Sequence, residues 1–110
     1  MQRVKDNAGR RDRGHVSAIS RDAAASLAVD ALTFIANDSV LMERFLSLTG
    51  IKVADLRHAA TKPGFFVAVL DFLLGHEPTL LAFATGAGID PANVPAARQV
   101  LARPMESRRP

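Results

Sequence analysis

The chain reads as all-α: a compact bundle of five or six helices in which a unit of about 38 residues occurs twice. Three observations predict it. Apolar residues recur at three- and four-residue spacing, with no alternating run and no Asn-Gly hairpin signal. Helix start and stop residues fall between those runs: Ser20, Asp38, Gly50, Gly75, Gly88 and the pair Asp90-Pro91. Two stretches also match at an offset of 38, ALTFIA (31–36) on VLDFLL (69–74) and FLSLTGIKVADL (45–56) on FATGAGIDPANV (83–94). Leu32 then falls on Leu70, Phe34 on Phe72, Phe45 on Phe83, Gly50 on Gly88, Ile51 on Ile89 and Ala54 on Ala92. That period is in the range of duplicated helical units.

Ser20 predicts an N-cap, and the first helix then runs to about Ala36. Its polar residues Ser26, Asp30, Thr33 and Asn37 are spaced four, three and four, which is one helical stripe. Leu27, Ala31 and Phe34, with Ala28, Leu32 and Ile35, fill the other side. Asp38 caps a second helix over about 39–49, with Leu41, Phe45 and Leu48 facing in and Glu43 and Ser47 facing out. Gly50 ends it, where φ > 0 is needed. A short third helix follows at about 53–60, with Leu56 inward. Thr61 is the expected cap of a fourth helix, from Lys62 or Pro63 to Leu74 and ending at Gly75.

Pro78 opens a fifth helix to about Thr85, closed by Gly86 and Gly88. Asp90-Pro91 reads as an N-cap followed by proline at the first helical position. Pro95 would delete a backbone donor and crowd the carbonyl of Pro91. A turn is therefore expected at 91–94, with the last helix from Pro95 to about Ala102. Phe34 and Phe72, paired by the repeat, are expected at the centre of the core.

The helical domain is expected over 21–103, between disordered basic tails at 1–20 and 104–110. Residues 1–20 carry five basic and two acidic residues, and 104–110 carry two and one. The body, 21–103, carries seven basic and eight acidic, so its net charge is −1 while the whole chain is +3. A folded basic groove is not expected, and nucleic acid is not the favoured partner. Arg10, Arg11 and Arg13 are the residues that would carry a nucleic-acid contact, weak and salt-sensitive, from the N-terminal tail.

Cysteine is absent, which removes disulfides, thiolate metal sites and thiol catalysis and suits a cytoplasmic protein. No apolar run reaches the ~18 residues of a membrane span. The basic N-terminus ahead of 23–36 has the outline of a signal peptide, but Asp30 and Thr33 break the apolar region. Asn37-Asp38-Ser39 fits a glycosylation sequon and reads instead as a helix boundary.

No constellation of catalytic or ligating residues stands out. His15 falls in the N-terminal tail. His58 shares a helix face with Asp55, but no further ligands at helical spacing complete a metal site. His76 lies at the turn between the fourth and fifth helices beside Glu77, with Thr79 the one hydroxyl close in sequence, and a capping or turn role is expected of it. The Gly-Ala-Gly of 86–88 lacks the lysine and hydroxyl of a phosphate loop and reads as a helix end. No cofactor or metal is expected.

The fourth helix is the oddity. In PGFFVAVLDFLL, Asp71 is the only charge after Lys62. Shifting the first helix's polar stripe by 38 gives Gly64, Ala68, Asp71 and Gly75, so a solvent stripe in one copy has become a small-residue stripe in the other. The last helix is expected to cover Gly64 and Ala68, with exposure near Asp71 and His76. Ala68, Asp71, Gly75 and His76 are accordingly the candidate partner-binding residues.

From Leu27 to Leu101 the chain resembles the bacterial family of domain of unknown function 3572. The residues that carry this are Leu32, Phe34, Ile35 and Ala36; Arg44, Phe45 and the LTGI of 48–51; Ala54 to Arg57; VLDFLL at 69–74; Glu77; LLAFA at 80–84; and GIDP at 88–91. Lys52-Val53 departs from the pattern where an Asp-Pro helix start would suit, so the third helix is less well capped here. The resemblance implies a small, soluble, all-helical bacterial protein with no assigned activity, cofactor or catalytic residue. The resemblance also implies encoding near two-component signalling genes, which fits a partner-binding role with an unidentified protein of that kind. The function expected is a non-enzymatic protein–protein interaction module that binds through an apolar helical face, with a homodimer possible. The alternatives are a nucleic-acid accessory protein acting through its basic tails and an enzyme of a type the sequence does not reveal.

Overall fold

Ser20 starts the first helix: its hydroxyl accepts the Ala23 N–H at 3.0 Å, and α1 (Arg21–Ala36) follows. The computed structural model describes residues 19–103 apart from Pro63. Of the tails expected at 1–20 and 104–110, residues 1–18 and 104–110, with Arg10, Arg11, Arg13 and His15, lie outside the described residues. The next cap is Asp38, whose Oδ1 accepts from the N–H groups of Val40 and Leu41 at 3.0 and 3.2 Å to open α2 (Ser39–Thr49). A 3-10 turn at Val53–Asp55 leads into the single turn of α3 (Leu56–Ala59). α4 (Phe65–Leu74), α5 (Glu77–Ala87) and α6 (Asn93–Ala102) complete the fold, and no strand occurs among the described residues.

α1, α4 and α6 pack on one another and enclose the core. α1 contributes Ala24, Ala28, Ala31 and Ile35, spaced four, three and four along one face. Three of these are alanines, so the helices facing them can approach closely. α4 supplies Phe65, Val69, Leu70 and Leu73, and α6 supplies Val94, Ala97 and Val100. α2 lies against α1 and α4 and drives Phe45 into the core, where its ring meets Phe65 and Phe72 edge-on at 6.0 and 5.6 Å. α5 lies against α4 and α1, and its buried Phe83 meets Phe34 at 5.6 Å.

Several expectations need correcting. Phe34 and Phe72 are half-buried packing partners at the flank, not the centre of the core. Leu48 does not face in; it is 74% exposed. Thr61 does not cap α4. Its hydroxyl donates to the His58 carbonyl at 2.7 Å and closes α3 instead, and α4 starts after Gly64 with no capping side chain. Gly64 is exposed, with nothing within 4 Å of where a Cβ would stand, so the last helix does not cover it.

α6 starts at Asn93, so Pro95 lies inside the helix rather than opening it. It is the third helical residue, where the missing N–H is one of those with no intrahelical partner in any case. Gly86 lies within α5, and Gly88 is the cap.

The offset of 38 is visible in some helix bounds and not in others. α2 and α5 both have 11 residues, and each ends on a left-handed glycine, Gly50 at φ 78° and Gly88 at φ 70°. The chain turns by 114° between α1 and α2 and by 108° between α4 and α5. α1 has 16 residues against 10 in α4, and the short α3 corresponds to the full helix α6. Among the described residues, no single helix is long and apolar enough to cross a membrane.

Candidate functional site

Three of the four residues expected to bind a partner come together. Asp71 lies in the last turn of α4, Gly75 ends that helix, and His76 is the extended residue, φ −147°, from which α5 starts. With Phe72 and Thr79 they line one side of a depression of about 110 Å³; Arg44 and Leu48, from the C-terminal half of α2, line the other. Ala68 is not part of it: it lies one turn earlier on α4 and is half-buried.

Asp71 is held from across the fold. Arg98 of α6 donates from Nε to Oδ1 at 2.8 Å and from Nη2 to Oδ2 at 3.3 Å. Both oxygens of the carboxylate are thus engaged by one guanidinium fork. The pair stays open to solvent, with side-chain exposures of 39% for Arg98 and 49% for Asp71. The Asp71 hydrogen bond, and secondarily its charge, raise the Arg98 pKa above the ordinary arginine value. At the surface such a pair orients side chains more than it stabilises the fold.

His76 takes a turn position, as expected, but its ring does not cap the α5 backbone. Its Nδ1 lies 2.7 Å from Thr79 Oγ1, the third residue of α5. Thr79 is only 9% exposed, so this contact satisfies a hydroxyl that water barely reaches. The hydroxyl donates to Nδ1 in one tautomer and accepts from it in the other. A histidine and a hydroxyl at this distance are within reach for base-assisted attack, but no described residue stands as the third group of such a relay. The nearby carboxylate of Asp71 is committed to Arg98, and no described residue bonds to His76 Nε2. His58 and Asp55 are exposed on the α3 segment, and among the described residues no three histidine or carboxylate groups converge as a metal site would need.

The arrangement is a shallow recess with an apolar lip, Leu48 and Phe72, and polar groups of both charges around it. Sequence reasoning missed Arg44, Leu48 and Arg98 as members. Leu48, three residues after Phe45, matched the inward spacing, and nothing local ties Arg98 to Asp71 across 27 positions. A second recess, about 340 Å³, lies between α1 and the end of α5, where Asp30, Thr33 and Asn37 of the polar stripe border Phe34 and Phe83. No curated protein and no solved structure matches the chain. A family model does match it, over residues 21–104, and covers every described helix from Arg21 onward; the chain therefore belongs to the family described as protein of unknown function DUF3572.

Proposed function

We propose that this chain is a non-enzymatic protein–protein interaction module of the bacterial cytoplasm, and that it receives a helix of a partner protein on the face shared by α2, α4 and α5. One observation carries the reading: Leu48, 74% exposed, stands at the edge of a recess into which groups of several chemistries converge. A single exposed leucine is ordinary. A leucine beside a recess lined by Phe72, Arg44, Asp71 and His76 has the make-up of a small hot spot, an apolar lip with polar groups of both charges next to it. An apolar side chain from the partner seats between Leu48 and Phe72, and polar groups beside it meet Arg44 and His76. The family resemblance makes two-component signalling proteins the first partners to test. The matching lengths of α2 and α5, and the glycines that end them, favour descent of the two halves from one duplicated unit.

Site-specific photo-crosslinking tests this. A photoreactive phenylalanine analogue is placed at Leu48 and, as a control, at exposed Ser26 on α1, in the protein expressed in its native cell. The expected result is a discrete crosslinked protein at position 48 that is missing at position 26 and is lost when Phe72→Asp is added. Equal products at both positions, or a self-crosslink alone, would refute the proposal.

A further inference from the structure

We infer a second docking site, for an acidic amphipathic helix of a partner protein, in the groove where α1 and α4 begin and α6 ends. The groove encloses about 790 Å³, room for several side chains. Phe66, Val67 and Leu101 are its half-buried apolar surface. Arg21, Lys62 and Arg103 surround them. Three of the seven cations of residues 21–103 therefore line one groove, and none of the eight carboxylates does. The body as a whole is slightly acidic, so this clustering is a local property that its net charge conceals.

Arg21 fixes part of that charge in place. Its Nη2 donates to the carbonyls of Val100 and Arg103 at 3.0 and 2.9 Å, which closes the end of α6 and holds the guanidinium at the groove wall. Lys62 and Arg103 are exposed. Gly64, with open space where a Cβ would be, lets another backbone come close.

The sign of the rim selects the occupant. The chain's own adjoining segments are net basic, five basic to two acidic residues before Ile19 and two to one after Arg103. Like charge disfavours them, whereas carboxylates on a partner are complementary. The groove walls are helix ends, with no sheet edge on which an extended peptide could pair, so apolar anchors spaced i, i+3, i+4 and i+7 on a helix are the fitting mode. None of the residues at the Leu48 face lines this groove, so the two sites fail or stand separately.

The test uses the full chain, labelled with 15N, and two synthetic helical peptides. Both carry Leu at i, i+3, i+4 and i+7; one has Glu at the remaining positions and its twin has Lys. At low salt the Glu peptide is expected to shift the amide resonances of Phe66, Val67 and Leu101 and to bind about tenfold or more tightly than the Lys twin. The double variant Lys62→Glu with Arg103→Glu should weaken the Glu peptide by about the same factor while its melting curve stays unchanged. Equal binding of the twins, shifts confined to another face, or unaltered binding by the double variant each overturns the inference. So does a concentration-dependent dimer that the double variant dissolves, because the occupant would then be a second copy.

Discussion

Phe45 and Leu48 sit three residues apart on α2 and should respond oppositely to truncation. Phe45 is fully buried and meets two rings edge-on, Phe65 at an interplanar angle of 89° and Phe72 at 86°. Truncating a buried Phe to Ala costs about 3–5 kcal/mol. Each edge-on pair carries roughly 0.5–1.5 kcal/mol beyond its area, which places Phe45→Ala toward the upper end. A domain of this size has about 5–15 kcal/mol in all, so the variant stands near the limit of folding. Leu48→Ala removes a side chain that is already 74% exposed, at a helical position where both residues are good helix formers, and should stay within about 0.5 kcal/mol.

The chain has no Trp or Tyr, so the transition is best followed by helical circular dichroism in urea. Stabilities come from linear extrapolation, and equal slopes in the two variants would show that the denatured state is not the source of the difference. A gap of about 4 kcal/mol or more between the variants is the expected outcome. If Leu48→Ala costs more than about 2 kcal/mol, α2 is rotated from the orientation described, Leu48 belongs to the core, and the partner face loses its exposed leucine.

Two further sets of variants follow. Phe34→Ala and Phe72→Ala, both half-buried, should each cost about 1.5–2.5 kcal/mol, roughly half the price of a fully buried Phe, measured by the same urea titration; a loss of 4 kcal/mol or more would return them to the core. Gly50→Ala and Gly88→Ala meet no steric obstacle but must hold φ of 78° and 70°, so each should lose about 1–2 kcal/mol, whereas Gly64→Ala, at φ −85° with open space around it, should gain about 0.4–1 kcal/mol; thermal melts that rank Gly64→Ala with the other two would contradict the assigned turn geometry.

Much of the helix layout was legible because the signals are local. Ser20, Asp38 and Gly50 act on the backbone within four residues of themselves, so the bounds of α1 and α2 follow from the chain alone. Thr61 misleads for an equally local reason: a threonine hydroxyl can bond backward as well as forward, and here it turns to the His58 carbonyl. The identity of the core was less legible. Apolar residues cover most of the circumference of α1 and α4, so periodicity does not reveal which side meets the tightest neighbour. α6 and α4 press on the alanine face of α1, and the larger Phe34 is left at the margin beside Phe83.

The same division holds at the sites. Asp71, Gly75 and His76 were legible together because they share one helix end and the turn after it. Arg44, Leu48 and Arg98 reach them only through tertiary packing. The cationic groove was hidden by a sum. Asp22, Asp38 and Glu77, three of the body's eight carboxylates, stand at the starts of α1, α2 and α5, where a negative charge offsets the positive end of the helix dipole. α4, like α6, starts without one. Its first described neighbours are Lys62 and Gly64, and no side chain caps it. Placing acids at three helix starts and leaving that of α4 to Lys62, Arg21 and Arg103 accompanies a net charge near zero and, at one groove, a field of a single sign.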